Sequence, residues 1–153
     1  LSDSSNNRVL VYALNGNNIL SDNIPDFVIG QANYYTNASA ATQAGLSAPA
    51  GLAYDIGGRR LFVADTNNNR ILSYDGSAIA TGMSASNVLG QINFTTVTAT
   101  TTQLGLSAPL GITYDPTSGK LFAVDQTNSR VVIFNVGFTG NSQGGNSFYF
   151  YGY

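Results

Sequence analysis

The sequence predicts an all-β fold built from repeated, four-stranded antiparallel units, and three observations carry that expectation. First, "LFVADTNNNRILSY" at residues 61–74 returns as "LFAVDQTNSRVVIF" at residues 121–134, and a clipped version, "LSDSSNNRVLVY", opens the chain. Second, each copy divides into short runs of Val, Ile, Leu, Phe and Tyr separated by Gly, Asn, Asp and Ser, which is the punctuation of strands and turns. Third, all eight acidic residues are Asp and only one Lys is present. The Glu and Lys that usually coat helices are nearly missing, while Asn, Ser, Thr and Gly abound.

The repeat has a fixed length. "GQANYYTNASAATQAGLSAPAGLAYD" from Gly30 aligns without a gap on "GQINFTTVTATTTQLGLSAPLGITYD" from Gly90, a period of 60 residues. The opening segment matches at an offset of 62, because the stretch after Tyr12 is two residues longer than its copy after Tyr74. Within one copy "GLAYD" (51–55) reads as the first strand, "RRLFVAD" (59–65) as the second, "RILSYD" (70–75) as the third and "NVLGQ" (87–91) as the fourth. The junctions "DIGG" and "DPTSG" are hairpin chemistry: Gly57, Gly58 and Gly119 accept positive φ, and Pro116 presets the angle after Asp115. The link from Gln91 to Pro109, rich in Thr and Ala and without helical period, wraps from an outer strand to the next inner one. "LSDSSNN" is then the second half of a second strand.

Four antiparallel strands at a fixed spacing form a propeller blade, which buries both of its faces only when neighbours stack on it. The chain divides into a partial first blade with its link (1–48), a second blade with its link (49–108) and a third blade with a divergent aromatic tail (109–153), an incomplete propeller within one chain. The segments "LSAPAGLAYD…RRLFVADTNNNRILSYD" and "LSAPLGITYD…GKLFAVDQTNSRVVIF" resemble NHL-type β-propeller repeats. They share that family's Pro-x-Gly-hydrophobic start, its Leu-Phe-Val-Ala-Asp-Thr second strand and its Asn-Arg-Val-hydrophobic third strand. The resemblance runs from Leu1 to about Val136, and "GFTGNSQGGNSFYFYGY" departs from it.

Among the recurrent polar residues, Asp3, Asp65 and Asp125 each precede an Arg by five positions, namely Arg8, Arg70 and Arg130. Such a ring could serve as a ligand rim. Its recurrence in every copy favours a structural role instead, with each Asp capping its hairpin and each Arg reaching the adjacent blade. Tyr54, Tyr114, Asp55 and Asp115 recur likewise, near the inner strand ends.

Composition narrows the function. A net charge of −2 without a basic cluster argues against nucleic acid, and only Arg59, Arg60 and Lys120 fall outside the repeated pairs, as solvated turn residues. No apolar run approaches the roughly 20 residues of a membrane span. There is no Cys and no His, which removes disulfides and the usual soft metal ligands; no cofactor or metal is expected. Propeller lactonases and lyases, which resemble this family, draw their chemistry from His, Glu or a metal held by Asn, Asp and Glu. An enzyme is therefore not expected here, and the alternative is a fragment of such an enzyme whose active site lies in blades not present.

Leu1 opens the chain without a start methionine or a signal peptide, as in a mature product, a processed fragment or a portion of something longer. Low charge, abundant Asn and Thr and an aromatic end suit an extracellular or cell-surface scaffold. Asn37 in "NAS" and Asn93 in "NFT" are candidate N-glycosylation sites in the long links. The expected partners are the chain itself, the rest of a longer propeller, or a glycan or surface protein. Phe148, Tyr149, Phe150, Tyr151 and Tyr153 read either as the last blade's fourth strand or as an adhesive assembly strand. Five aromatics are more than one buried face accommodates, which favours the second. Head-to-tail contact through this strand would close a ring or grow a filament.

Overall fold

The Asp-to-Arg hairpins set the strand boundaries. In the middle of the chain β5 (Arg60–Asp65) runs into a single 3-10 turn, Thr66–Asn68, and Asn69 then takes the left-handed conformation at φ 52° before β6 (Arg70–Asp75) returns. Asn is among the few residues that enter this region readily, which is why the turn reverses there. The opening segment repeats the device: β1 (Ser2–Asp3), a 3-10 turn at Ser4–Asn6, Asn7 at φ 53°, and β2 (Arg8–Val11). A computed structural model describes residues 1–137, and the aromatic residues Phe148 to Tyr151 and Tyr153 lie outside the described residues.

Among the described residues three antiparallel sheets result, with orders β1-β2-β3, β4-β5-β6-β7 and β10-β9-β8, and they do not close into a barrel. The remaining strands are β3 (Phe27–Ile29), β4 (Pro49–Asp55), β7 (Asn87–Leu89), β8 (Pro109–Asp115), β9 (Lys120–Asp125) and β10 (Arg130–Asn135). These bounds agree with the strands read from the repeat, apart from one or two residues at the ends. Both β4 and β8 carry a register shift between the proline and the residue three positions on. Among the described residues no helix is long and apolar enough to cross a membrane.

Side chains alternate between the two faces of a strand, so each sheet has a rear face toward the preceding blade and a forward face toward the next. Val63, Leu72 and Tyr74 on the rear of the second sheet pack with Val9, Ile29 and Leu46. Phe62 and Ile71 on its forward face pack with Leu121, Ala123, Val132 and Phe134 of the third. The middle sheet is therefore covered on both sides. Among the described residues the third is covered on one: Val131 is 60% exposed and Ile133 41%, whereas their counterparts Ile71 and Ser73 are 0% and 4% exposed.

Candidate blade-to-blade interface

Each Asp of the recurrent pairs meets its own blade's Arg. Arg70 Nε donates to Asp65 Oδ2 at 2.7 Å, Arg130 Nε to Asp125 Oδ2 at 2.7 Å and Arg8 Nε to Asp3 Oδ2 at 2.8 Å. The rest of the guanidinium is occupied by carbonyls of the links: Arg70 reaches those of Thr42, Gly45 and Phe94, and Arg130 those of Thr101, Thr102 and Gly105. Asp65 also accepts from the Ser47 N–H at 2.6 Å and Asn68 Nδ2 at 2.8 Å, and Asp125 repeats this with Ser107 and Asn128. Neither Asp3 nor Asp65 makes a side-chain cap bond to its own 3-10 turn. The hairpin-cap expectation is corrected there: the Asp65 carboxylate holds the incoming link and Asn68, because Arg70 and the Ser47 amide converge on it, and the Asp3 carboxylate holds Asn6 and Arg8.

Burial grades the three pairs. Asp65 and Arg70 have no exposed side-chain surface, whereas Asp3 and Arg8 are partly open. For Asp3, burial opposes ionisation, but Arg8 and Asn6 outweigh it and hold the carboxyl below its usual range. For Asp65, burial is the larger effect and pushes the carboxyl up against the pull of Arg70, Ser47 and Asn68.

A second set of polar contacts crosses from one blade to the next, and sequence reasoning missed it. Thr66 Oγ1 donates to the Pro109 carbonyl at 2.8 Å, and Asn69 Oδ1 accepts from the Ala108 N–H at 2.8 Å. One junction earlier, the Ser4 hydroxyl donates to the Pro49 carbonyl and Asn7 Oδ1 accepts from the Ala48 N–H at 2.8 Å. The other amide group reaches the outgoing link, Asn69 Nδ2 to the Val97 carbonyl and Asn7 Nδ2 to that of Asn37, both at 2.9 Å. Ala48 and Ala108 both have positive φ, at 48° and 50°, which is unfavourable for a residue with a Cβ. The clamp therefore grips the next blade where its backbone is strained. The signal was legible as Ser or Thr and Asn recurring at the repeat offset. In the third blade these two positions hold Gln126 and Ser129 instead.

Arg60 corrects another expectation. It is not a solvated turn residue: it is buried, with Nη2 2.6 Å from Asp55 Oδ2 and its Cζ 5.4 Å from the centre of the Phe62 ring. The Tyr114 side chain, from the next blade, also favours the charged form of Asp55, and the Tyr114 ring lies 6.0 Å from that of Phe62. Burial works against the charge of Asp55, but the Gly58 N–H, Arg60 and Tyr114 outweigh it and hold its carboxyl low. A cleft of about 520 Å³ opens beside Asp55, Tyr114, Ser118 and Asn135. Tyr54, at the same strand position in the second blade, is 50% exposed, and Arg59 and Lys120 are exposed.

A groove of about 440 Å³ lies between the second and third blades, lined by Val88, Leu89, Leu104 and Phe134. Its counterpart between the first two blades is covered by Ile79, Met83 and Ala85, fastened by Gln43 to the Ala85 carbonyl at 2.7 Å. Residues 139–145, which align with 79–85, lie outside the described residues. Asn37 and Asn93 are both exposed, and Asn93 Oδ1 accepts from the Thr95 and Thr96 hydroxyls at 3.0 and 2.8 Å. Among the described residues no group of three or more His, Cys, Asp or Glu could hold a metal ion.

Compared with known proteins, residues 46–74 match the family described as the NHL repeat. No curated protein matches the chain. The matched segment contains β4, β5 and β6 with the Asp65–Arg70 pair, the part of the fold buried on both faces. The match to an NHL repeat lies in an all-β fold of antiparallel sheets that is consistent with a partial propeller.

Proposed function

We propose that this chain is a non-enzymatic, extracellular scaffold or assembly protein that associates through blade faces and strand edges exposed among the described residues. The observation that carries the reading is the contrast between the covered middle blade and the third blade, whose forward face exposes Leu110, Val124, Val131 and Ile133. Exposed apolar surface of this kind, contiguous on one sheet, marks an interaction site. The recurrent Asp and Arg residues support a scaffold over a catalyst, since their polar atoms are occupied by contacts that hold blades and links together. Light scattering on the full chain over a concentration series tests the association: species larger than the monomer are expected, and a monomer at every concentration would contradict it. The extracellular setting rests on the exposed sequons at Asn37 and Asn93, and peptide mass spectrometry of protein from its native source should find sugar there.

A further inference from the structure

The sequence contains a single Asn-Gly dipeptide, Asn15-Gly16, in the link that is two residues longer than its copy. The backbones of Leu14 and Leu20 pair around it. Between them the Asn15 N–H donates to the Ile19 carbonyl and the Asn18 N–H to the Asn15 carbonyl, both at 2.9 Å, and Asn18 takes the left-handed conformation at φ 58°. Asn15 Oδ1 accepts from the N–H groups of Asn17 at 2.9 Å and Ile19 at 3.1 Å, which folds the side chain over the Gly16 peptide. Asn15 Nδ2 and the Gly16 N–H make no hydrogen bond among the described residues, and both residues are exposed. Asparagines of the blade hairpins are held differently. Asn68 Nδ2 donates to the Ala40 carbonyl and Asp65, and Asn128 Nδ2 to the Thr100 carbonyl and Asp125.

The repeat supplies an internal comparison. Counted back from Gly30 and Gly90, Asn15-Gly16 matches Asp75-Gly76, and Ile19 matches Ile79. Asp75 uses its carboxylate as Asn15 uses its amide: Asp75 Oδ1 accepts from the Ser77 N–H at 2.9 Å. A carboxylate at this place therefore suits the turn. The two glycines are not equivalent. The Gly76 N–H donates to the Arg59 carbonyl at 2.7 Å, and a Cβ on Gly76 would stand 2.7 Å from the Tyr54 ring and 2.9 Å from the Arg59 oxygen. A Cβ on Gly16 would meet nothing within 4 Å. The Gly16 nitrogen is open to react with the side chain before it, and the Gly76 nitrogen is occupied.

We propose that Asn15 is a site of spontaneous deamidation. The Gly16 nitrogen gives its proton to solvent and attacks Asn15 Cγ, closing a cyclic imide, while the bond from Cγ to Nδ2 breaks and Nδ2 leaves with a proton as ammonia. Water then opens the imide at either carbonyl, leaving aspartate or its isoaspartyl isomer, so that water is consumed and ammonia released. Glycine favours the attack because it brings no Cβ to obstruct a close backbone approach. The product places a new negative charge beside Leu14, Ile19 and Leu20, which are exposed, and the reaction does not depend on association. Ageing the full chain in mildly alkaline buffer made with heavy-oxygen water, followed by peptide mass spectrometry, tests the proposal. Aspartyl and isoaspartyl forms carrying heavy oxygen should accumulate at residue 15 ahead of the other described asparagines, and Asp75 should keep its normal linkage. Gly16→Ala, for which the turn has room and needs no positive φ, should lose most of the product over the same period. Asn15→Asp should keep the circular dichroism spectrum and thermal midpoint of the fresh protein, as Asp75 does its turn's work with a carboxylate. An Asn15 that outlasts the other described asparagines, a Gly16→Ala chain that reacts as fast as wild type, or isoaspartate at Asp75 to the same extent as at residue 15 would overturn the proposal.

Discussion

Asp65 and Asp3 hold the same place in their blades and differ in their surroundings. Losing a cap or a single bond costs about 1–2 kcal/mol, but removing one partner of a fully buried pair leaves the other charge stranded, at about 3–5 kcal/mol. Asp65→Ala should therefore destabilise the protein by about 3–5 kcal/mol. Asp3→Ala, in a partly exposed pair, should cost under about 1 kcal/mol. Chemical denaturation of the two variants checks the order, and equal losses would show that burial does not set the strength of these pairs. Asp55 carries a pH dependence. Its folded carboxyl sits below the unfolded value of about 3.9, so its contribution is full above that value and is lost as pH falls through the lower folded one. Asp65 is shifted the other way and opposes this slope. Asp55→Asn should accordingly flatten the acid limb of the stability curve relative to wild type, and an unchanged limb would contradict the account of Asp55. The Asp-x4-Arg spacing made the pairs visible in the sequence. The difference between them was not visible, because it depends on which blades lie on either side.

At the scale of elements, the strands were legible because turn residues and alternation are local signals: Asn7 and Asn69 take the left-handed conformation where the Asn-rich runs end β1 and β5. Contacts between elements were less so. Arg60 follows two glycines and another Arg, the pattern of a solvated turn, and what buries it is Asp55 together with Phe62 and Tyr114, the last from the following blade. The Thr66 and Asn69 positions recur visibly in the repeat, but the bonds they make were not visible, since their partners Pro109 and Ala108 lie in the next repeat. A close approach between blades yields a sharp test. A Cβ on Gly51 would stand 2.5 Å from the Leu110 carbonyl oxygen and 2.8 Å from the Ile112 nitrogen, whereas one on Gly111, at the same repeat position, would meet nothing nearer than Val124 at 3.7 Å. Backbone atoms cannot give way as a flexible side chain can. Gly51→Ala should cost about 1–3 kcal/mol by forcing β4 and β8 apart, and Gly111→Ala should cost the fold little; thermal unfolding of both variants makes the comparison.

For the whole molecule, the repeat foretold stacked blades, and the three sheets of the described residues follow that plan. What the repeat could not foretell is that the third blade keeps its internal bonds while losing its forward clamp, since the meaning of Gln126 and Ser129 depends on bonds seen only at the other junctions. The account as a whole claims that an apolar forward face drives association. Sedimentation equilibrium of the full chain beside Ile133→Asp tests that claim most directly, because Ile133 is exposed in the single chain and an acid there should leave the blade folded. The account predicts that wild type sediments as a dimer or larger species and that Ile133→Asp sediments as a monomer with an unchanged circular dichroism spectrum. Equal masses for the two proteins, with the variant folded, would contradict it.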